Sequence, residues 1–299
     1  MDHQTSLRLP HFQIAREMNM SSSNSSITTN LQNLVAQNSF LEVTSSQEQF
    51  PGSKGNGLPL IRVKTSLCTA VIALQGAHLL HFNAHDGKPS LWVSPNCDFT
   101  KGTALRGGVP VCLPWFGPNS LDPKKPKHGF ARNRDWQLDS ARLSPEGNAE
   151  LIFTFNSPAN ELFQYDFVAQ LKFTLGKTAK LELDVSNVGD KEFNCSWVLH
   201  SYFPATSLTH VRVKGLAGKT YLDNLENHAP KIQDGDVTFS AEVDRVYPNI
   251  ENELSIESST PISIKHHNCP SVVVWNPGAE NASKIADIGA GNEQNYVCV

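Results

Sequence analysis

The chain has 299 residues and a formal net charge of −4 at pH 7, with 25 Lys and Arg against 29 Asp and Glu. Such a balance offers no basic surface for a nucleic-acid backbone, and no apolar run of the sequence reaches the roughly twenty residues that span a bilayer. We therefore expect a cytoplasmic protein, monomeric, that binds neither nucleic acid nor membrane.

The chain opens with a polar segment, residues 1–30, which contains the serine and asparagine run Ser21–Ser26. Its few apolar residues cannot offset the entropy lost on ordering, which predicts a disordered leader. A modest amphipathic helix is predicted next, over Leu31–Val43. We expect residues 31–299 to form a single domain.

From about residue 58 onward, short apolar runs alternate with Gly, Pro, Asn and Asp. Leu181–Val185 shows the period of two that is typical of a strand with one buried face. The pattern predicts an all-β fold, a large antiparallel β-sandwich. The predicted strands cover Leu60–Val63, Ala70–Leu74, Leu151–Phe155, Val168–Leu175, Lys180–Val185, Val211–Val213, Ile262–Ile264 and Val272–Trp275.

The first candidate binding segment is Arg106–Pro118, which reads RGGVPVCLPWFGP. Gly107 and Gly108 would let the backbone approach a ligand closely, and the guanidinium of Arg106 offers a planar fork of donors to a phosphate or carboxylate. Taken singly, a solvated arginine and a pair of turn glycines are the more common explanation. Their joint occurrence in irregular sequence favours a binding site.

The second candidate segment is His128–Trp136, ten residues further along the chain. Arg132 and Arg134 alternate with other residues, so an extended backbone would place both guanidinium groups on one face. Together with Arg106, these side chains predict an anionic small-molecule ligand.

Two isolated polar residues complete the candidate set. His200 follows an apolar run and stands near Tyr202; a histidine at a strand end can act as general acid or base near neutral pH. Asp244 could accept hydrogen bonds from a hydroxylated ligand. Each alone is weak evidence, because a lone histidine is more often structural and an aspartate before an arginine more often belongs to a turn or an ion pair.

Metal ligation is not expected. His78, His81 and His85 have helical spacing in a segment that looks like a strand followed by a turn, so their imidazoles would not converge on one ion. The six cysteines contain no CxxC pair. Free thiols in a reducing compartment fit this spacing best.

With these residues assembled, the chain resembles the glucose-6-phosphate 1-epimerases, or hexose-6-phosphate mutarotases, of the aldose 1-epimerase superfamily. The arginine-glycine segment and the HGFAR sequence together carry most of the specificity. The resemblance covers nearly the whole chain after the leader, through Gln75–Leu79, Leu91–Ser94, Arg106–Pro118, His128–Trp136, Leu199–Phe203, Asp244–Tyr247 and Val274–Pro277.

The resemblance implies a galactose-mutarotase-like β-sandwich, or supersandwich, that interconverts the α and β anomers of a hexose 6-phosphate without a cofactor or metal. The substrate would be a small sugar phosphate, most simply glucose 6-phosphate. By the same resemblance, His200 would protonate the ring oxygen and His128 would assist at the sugar. The implied substrate-binding residues are Arg106 and Arg132 at the phosphate, Asp244 at the ring hydroxyls, and Gln75 and Trp275.

The resemblance also implies a catalytic glutamate directly after an apolar strand of the type Tyr296–Val299, where this sequence stops. We therefore expect a chain truncated at this end. Glu280 and Glu293 are the nearest upstream acids, and neither has the matching context. The alternative interpretation is a non-catalytic β-sandwich that binds a carbohydrate or phosphosugar and lacks the terminal carboxylate.

Overall fold

A computed structural model describes residues 30–299. Residues 30–37 form the described part of helix α1, and strand β1, Leu41–Ser45, follows. The helix predicted over Leu31–Val43 is therefore right for its first half and wrong for its second, where Val43 pairs with Ile61 in a sheet. The predicted disordered leader lies, apart from residue 30, outside the described residues.

Short strands are the main regular structure of the described chain, and their register pairs are antiparallel, which confirms the predicted all-β fold. All eight predicted strands are present within a residue or two of their expected bounds. After β1 come β2 (Pro59–Lys64), β3 (Cys68–Ala73), β4 (His78–Ala84), β5 (Val111–Cys112), β6 (Gln137–Leu143), β7 (Ala149–Ser157), β8 (Phe167–Leu175), β9 (Ala179–Asn187), β10 (Val198–Leu199), β11 (Tyr202–Pro204), β12 (Arg212–Lys214), β13 (Thr220–Asp223), β14 (Ala229–Ile232), β15 (Val243–Pro248), β16 (Leu254–Glu257), β17 (Ile262–Ile264), β18 (Ser271–Asn276) and β19 (Tyr296–Cys298).

Helical segments are few and short. Two further α-helices are α2 (Ser46–Gln49) and α3 (Gly278–Lys284), and four 3₁₀ turns cover Ala131–Asn133, Leu208–His210, Asn224–Glu226 and Asn292–Asn295. Within residues 30–299, no helix is long and apolar enough to cross a membrane.

One core lies between two four-stranded sheets, β1-β2-β3-β4 and β6-β7-β8-β9. Every second residue of β7 is buried, as its alternating sequence predicts. Leu151 and Phe153 on that strand pack in the same cluster as Ile61 and Ile72 of the facing sheet. The alternation of apolar and polar residues thus determines which face of each strand packs in this core.

A second core lies between the six-stranded sheet β11-β19-β18-β15-β13-β14 and the three-stranded sheet β12-β16-β17. Tyr247 and Val274 contribute from the larger sheet, and Val213 and Ile256 from the smaller one. These four residues are all buried.

The chain passes from the first core to the second at residue 200. The preceding strand, β10, pairs with β5, and Leu199 packs against the first core. The following strand, β11, is the edge of the six-stranded sheet and pairs with β19. His200 therefore lies where two sheet systems meet, at the kind of junction where clefts form.

Candidate active site

The glycine pair at the start of the first candidate segment serves the protein's own packing. Gly107 and Gly108 both have positive φ, 116° and 61°. A Cβ on Gly107 would collide with the backbone at Val93, and one on Gly108 with the carbonyl oxygen of Leu79. The expected close approach to a ligand is therefore replaced by a close approach to neighbouring backbone, which fixes the position of Arg106.

The guanidinium of Arg106 is already held by two protein groups. Its Nε and Nη2 each donate to a carboxylate oxygen of Asp287 at 3.1 Å, and its Nη1 donates to the hydroxyl of Tyr202 at 2.9 Å. The side chains of the ion pair are 24% and 30% exposed. One edge of the guanidinium is thus filled by a carboxylate, and the Nη edge remains for another acceptor.

Arg132 lies in a 3₁₀ turn, Ala131–Asn133, rather than in an extended segment. The prediction that Arg132 and Arg134 share one face of a strand is therefore wrong. Arg132 Nη2 donates to the carbonyl oxygen of Lys127 at 3.0 Å, while its Nε is buried without a partner. No carboxylate of residues 30–299 forms an ion pair with it.

His128 is fixed at both its backbone and its ring. Its backbone has φ 67°, its N–H donates to the carbonyl of Gly117 at 2.8 Å, and its ring Nδ1 accepts from the N–H of Gly117 at 3.1 Å. An accepting Nδ1 carries no proton, so the neutral ring carries its proton on Nε2. His128 is therefore held as a neutral hydrogen-bond donor.

His200 is surrounded by aromatic rings. It stacks on Tyr202 with a centroid distance of 4.9 Å, and meets the edge of Trp275 at 5.8 Å. The ring of His128 is 6.0 Å away at 82°, and Phe116 lies near both histidines, at 5.0 Å from His128 and 6.4 Å from His200. The His200 Nδ1 is buried without a hydrogen-bond partner. The structure thus brings together His128 and His200, which the sequence places 72 positions apart.

Burial and positive charge both act against protonation of the two rings. Burial, followed by Arg132, Arg106 and Lys127, lowers the pKa of His128 to about 4. Burial, followed by His128, Arg106 and Arg132, lowers the pKa of His200 to about 3. Both rings are consequently neutral at pH 7.

Asp244 and Trp275 form the neighbouring part of the site. They are directly opposite each other in the β15–β18 register, so their side chains lie on one face of the sheet. Asp244 Oδ1 accepts from Asn224 Nδ2 at 2.8 Å. Burial raises the pKa of Asp244 above its usual value, and the Asn224 hydrogen bond opposes that shift.

Gln75 is placed differently from the prediction. Its side chain is 1% exposed, its Nε2 donates to the carbonyl of Thr103 at 2.8 Å, and its Oε1 accepts from the N–H of Gly102 at 2.7 Å. Both ends of the amide are therefore used by the backbone. Gln75 is buried and supports a loop.

No cluster of three or more potential metal ligands occurs among residues 30–299. His78 is fully buried, and its Nε2 lies 2.7 Å from the carbonyl oxygen of Gly107. This histidine therefore supports the glycine pair that carries Arg106.

Three residues of the site were not anticipated in their present roles: Asp287 and Tyr202 at Arg106, and Asn224 at Asp244. No sequence signal links Arg106 to Asp287, since they are 181 residues apart. Tyr202 offered a partial signal, because its spacing of two from His200 on an extended segment puts both rings on one face.

The two upstream acids lie apart from these contacts. Glu280 is exposed in α3, where it pairs with Lys284 at 2.7 Å. Glu293 is buried in the 3₁₀ turn before β19, and its Oε2 has no partner. Neither forms a hydrogen bond with His128 or His200 in the described part of the chain.

Comparisons with known proteins agree on one family. The family model for aldose 1-epimerase matches residues 59–299. A protein of Salmonella typhimurium with the provisional name glucose-6-phosphate 1-epimerase is 36% identical over 250 residues, covering 81% of this chain and 82% of that protein. A protein of Cenchrus ciliaris with the same provisional name is 31% identical, covering 78% and 74%. The crystal structure of a Salmonella typhimurium protein provisionally described as a mutarotase superposes with a TM-score of 0.75 at 36% identity, covering 81% and 82%.

Proposed function

This chain belongs to the aldose 1-epimerase family, and we propose that it is an isomerase that interconverts the α and β anomers of a hexose 6-phosphate, with glucose 6-phosphate as the preferred substrate. The relatives that carry the name glucose-6-phosphate 1-epimerase support the phosphorylated substrate. The proposed reaction needs acid–base groups and no redox partner.

The observation that carries the proposal is the pair of histidines together with Arg132, an arginine without a carboxylate partner among residues 30–299. Arg132 has no carboxylate partner among residues 30–299, and its buried Nε lacks an acceptor. Leaving a buried charged donor unsatisfied costs free energy, and a phosphate oxygen would satisfy it. A neutral sugar would leave this charge unpaired, so Arg132 favours a sugar phosphate as the ligand.

His200 is the proposed general acid. A proton on its ring would pass to the ring oxygen of the sugar as the bond between that oxygen and the anomeric carbon breaks, and a base would take the proton of the anomeric hydroxyl. The open-chain aldehyde then rotates about the bond between its first two carbons. Reclosure on the opposite face returns both protons.

A bound phosphate would prepare His200 for this role. Burial is the largest cause of the lowered pKa of His200, about 3, and the nearby cations Arg106 and Arg132 lower it further. A bound phosphate dianion would offset the charge of these two arginines. The pKa of His200 would then rise toward neutrality, where a general acid is most effective. The proposed acid is thus neutral in the empty site, and a bound phosphate would favour its protonation.

His128 has a different proposed role. Its Nδ1 accepts from Gly117, so the neutral ring can only donate, through Nε2. Protonation would break that bond and is opposed by a pKa of about 4. We assign His128 as a hydrogen-bond donor to a sugar oxygen and not as a proton carrier.

The register of β11 and β19 suggests where a base would act. Tyr202 pairs with Cys298, Phe203 with Val297, and Pro204 with Tyr296. A glutamate added after Val299 would continue this antiparallel series and face His200 across the ladder. The carboxylate and the imidazole would then be neighbours on one face.

The test is anomer exchange of glucose 6-phosphate, measured by two-dimensional NMR exchange spectroscopy on the 299-residue chain and on the same chain extended by one glutamate. We expect exchange above the buffer rate in the extended chain and a loss of about a hundred- to ten-thousandfold in its His200→Ala variant. Extension with glutamine is the matched control. Binding without exchange in every chain would contradict the epimerase and favour the binding-only alternative.

A further inference from the structure

Asn224 and Asp244 form a polar pair beside the proposed sugar site. Asn224 Nδ2 donates to Asp244 Oδ1 at 2.8 Å. A carboxylate only accepts hydrogen bonds, so the amide nitrogen of Asn224 must face it. The orientation of the amide is therefore fixed by chemistry, and its oxygen must point elsewhere.

That oxygen has no partner. Asn224 Oδ1 is buried, and no donor among residues 30–299 reaches it. A buried acceptor without a donor is costly, and such groups in folded proteins are nearly always satisfied. Because the amide cannot turn without losing Asp244, the missing donor has to come from outside the protein.

Neighbouring charges do not supply that donor. Asp223 accepts from Lys231 Nζ at 3.0 Å and from the N–H of Leu225 at 3.1 Å. Lys231 is thereby committed to Asp223 and to Glu226. Asp244 Oδ2, like Asn224 Oδ1, has no hydrogen-bond partner in the described part of the chain. Two acceptors thus remain on two residues that are joined by a hydrogen bond.

The pair lies next to the aromatic part of the site. Asp244 faces Trp275 across the β15–β18 ladder, and the ring centroids of Trp275 and His200 are 5.8 Å apart, with the rings nearly perpendicular. Asn224 begins the 3₁₀ turn that follows β13, and β13 pairs with β15. A sugar ring whose oxygen faced His200 could extend along Trp275 toward this pair.

We propose that Asn224 is a substrate-binding residue, whose Oδ1 acts together with Asp244 to accept hydrogen bonds from two adjacent hydroxyl groups of the sugar. This inference rests on the proposed function, since it assigns a hydroxyl-recognising role within the same site. A site built to bind a hydroxyl discriminates against an analogue that lacks it, because its own acceptor is then left unpaired. Asn224 therefore makes the site selective for one ring hydroxyl.

The experiment measures dissociation constants by isothermal titration calorimetry, using the full chain with glucose 6-phosphate and its 2-deoxy, 3-deoxy and 4-deoxy analogues. We expect Asn224→Ala to weaken binding of glucose 6-phosphate about five- to tenfold. The same variant should bind one deoxy analogue as well as the wild type does, since that analogue lacks the hydroxyl that Asn224 contacts. Asn224→Ser is a second variant and should give the same pattern.

Asn281→Ala is the matched control, because Asn281 Nδ2 also donates to a carboxylate, at Glu242, while its oxygen is not an orphaned buried acceptor. It should bind all four sugars like the wild type. If Asn224→Ala weakened the binding of all four sugars equally, Asn224 would only hold Asp244 in position, and the proposal would be overturned. Unchanged binding of all four sugars would overturn it as well. A wild-type chain that fails to bind glucose 6-phosphate would instead contradict the proposed function itself.

Discussion

Arg106 and Arg132 are both candidate phosphate ligands, yet their surroundings differ in charge. Arg106 is paired with Asp287 through two hydrogen bonds and held by Tyr202 through a third. Arg132 has one backbone acceptor, a buried Nε without a partner, and no carboxylate partner in residues 30–299. The charge of Arg106 is balanced by a carboxylate of the protein, whereas the charge of Arg132 is not.

The two arginines can therefore contribute differently to ligand binding, one to orientation and one to electrostatic attraction, although the sequence motifs do not distinguish them. A guanidinium that is paired with a carboxylate and firmly held can orient a ligand, because the direction of its remaining Nη edge is fixed. A guanidinium without a carboxylate partner attracts an anionic ligand more strongly, because the ligand is its only counter-ion. We therefore expect Arg132 to supply most of the electrostatic attraction and Arg106 most of the orientation.

Removal of the unpaired charge should have the largest effect. Arg132→Gln is expected to weaken binding of glucose 6-phosphate about ten- to a hundredfold, since a hydrogen bond to a charged group is lost. Its free energy of unfolding should change by no more than about 1.5 kcal/mol, because one hydrogen bond, to the Lys127 carbonyl, is lost and no native ion pair is broken. Calorimetric titration and urea unfolding measure the two quantities. Arg142→Gln, which removes the exposed partner of Glu150, is the control and should change neither. Equal affinity in Arg132→Gln would contradict the assignment.

Breaking the paired arginine should affect stability first. Asp287→Asn leaves the Arg106 guanidinium without its carboxylate, and we expect the free energy of unfolding to fall by about 1–3 kcal/mol, less than for a fully buried pair because both side chains are partly exposed. Urea denaturation gives the value. Lys101→Gln, which breaks the more exposed pair with Asp135, serves as the comparison and should cost less. A midpoint unchanged in Asp287→Asn would show that the pair adds nothing to stability.

The unpaired charge should also appear in the pH dependence of stability. Folded-state pKa values of about 4 for His128 and about 3 for His200 lie below the usual value of 6.5. Below pH 6.5 the unfolded chain therefore binds more protons than the folded one, so stability is complete above this pH and declines as the pH falls toward 4. Arg132→Gln removes a charge that lowers both pKa values and should make the decline shallower. Thermal melts from pH 7.5 to 4.5 test this, and identical slopes in both proteins would refute it.

The smallest expected effect is at the third contact of Arg106. Tyr202→Phe removes the hydroxyl that accepts from Nη1 but keeps the ring that stacks on His200. We expect binding of glucose 6-phosphate to weaken about two- to fivefold, since one neutral acceptor is lost. Calorimetric titration provides the measurement. A loss as large as that of Arg132→Gln would mean that orientation matters as much as charge, and the contrast between the two arginines would disappear.

The strands were predictable because burial of one face produces a local pattern in the sequence, the alternation of apolar and polar residues. Residues alternate along β7 and β8 in the sequence itself, and every second residue is buried in the structure. The second half of the predicted helix failed because pairing of Val43 with Ile61 is a non-local contact that outweighs a weak amphipathic pattern. Residue chemistry singled out Arg106, Arg132 and His200, and the resemblance added His128 and the roles of all four. The structure places the two histidine rings 6.0 Å apart.

The sequence did not predict which partner each polar or glycine residue of the site would contact. The glycines beside Arg106 were expected to face a ligand, yet they make room for Val93 and Leu79. Gln75 was expected to bind substrate, but its amide closes a loop through Thr103 and Gly102. In each case the residue type was correct for hydrogen bonding or close approach, and only the folded neighbours could determine which partner it meets.

The ion pair between Arg106 and Asp287 joins side chains that are 181 residues apart along the chain. Contacts of such long range form late during folding, because the entropy of closing a large loop must first be offset by other interactions. The orientation that Arg106 gives to a phosphate should therefore be acquired near the end of refolding. A refolding intermediate that had its strands but lacked this ion pair would bind glucose 6-phosphate less tightly than the native chain, so full affinity would report completed folding.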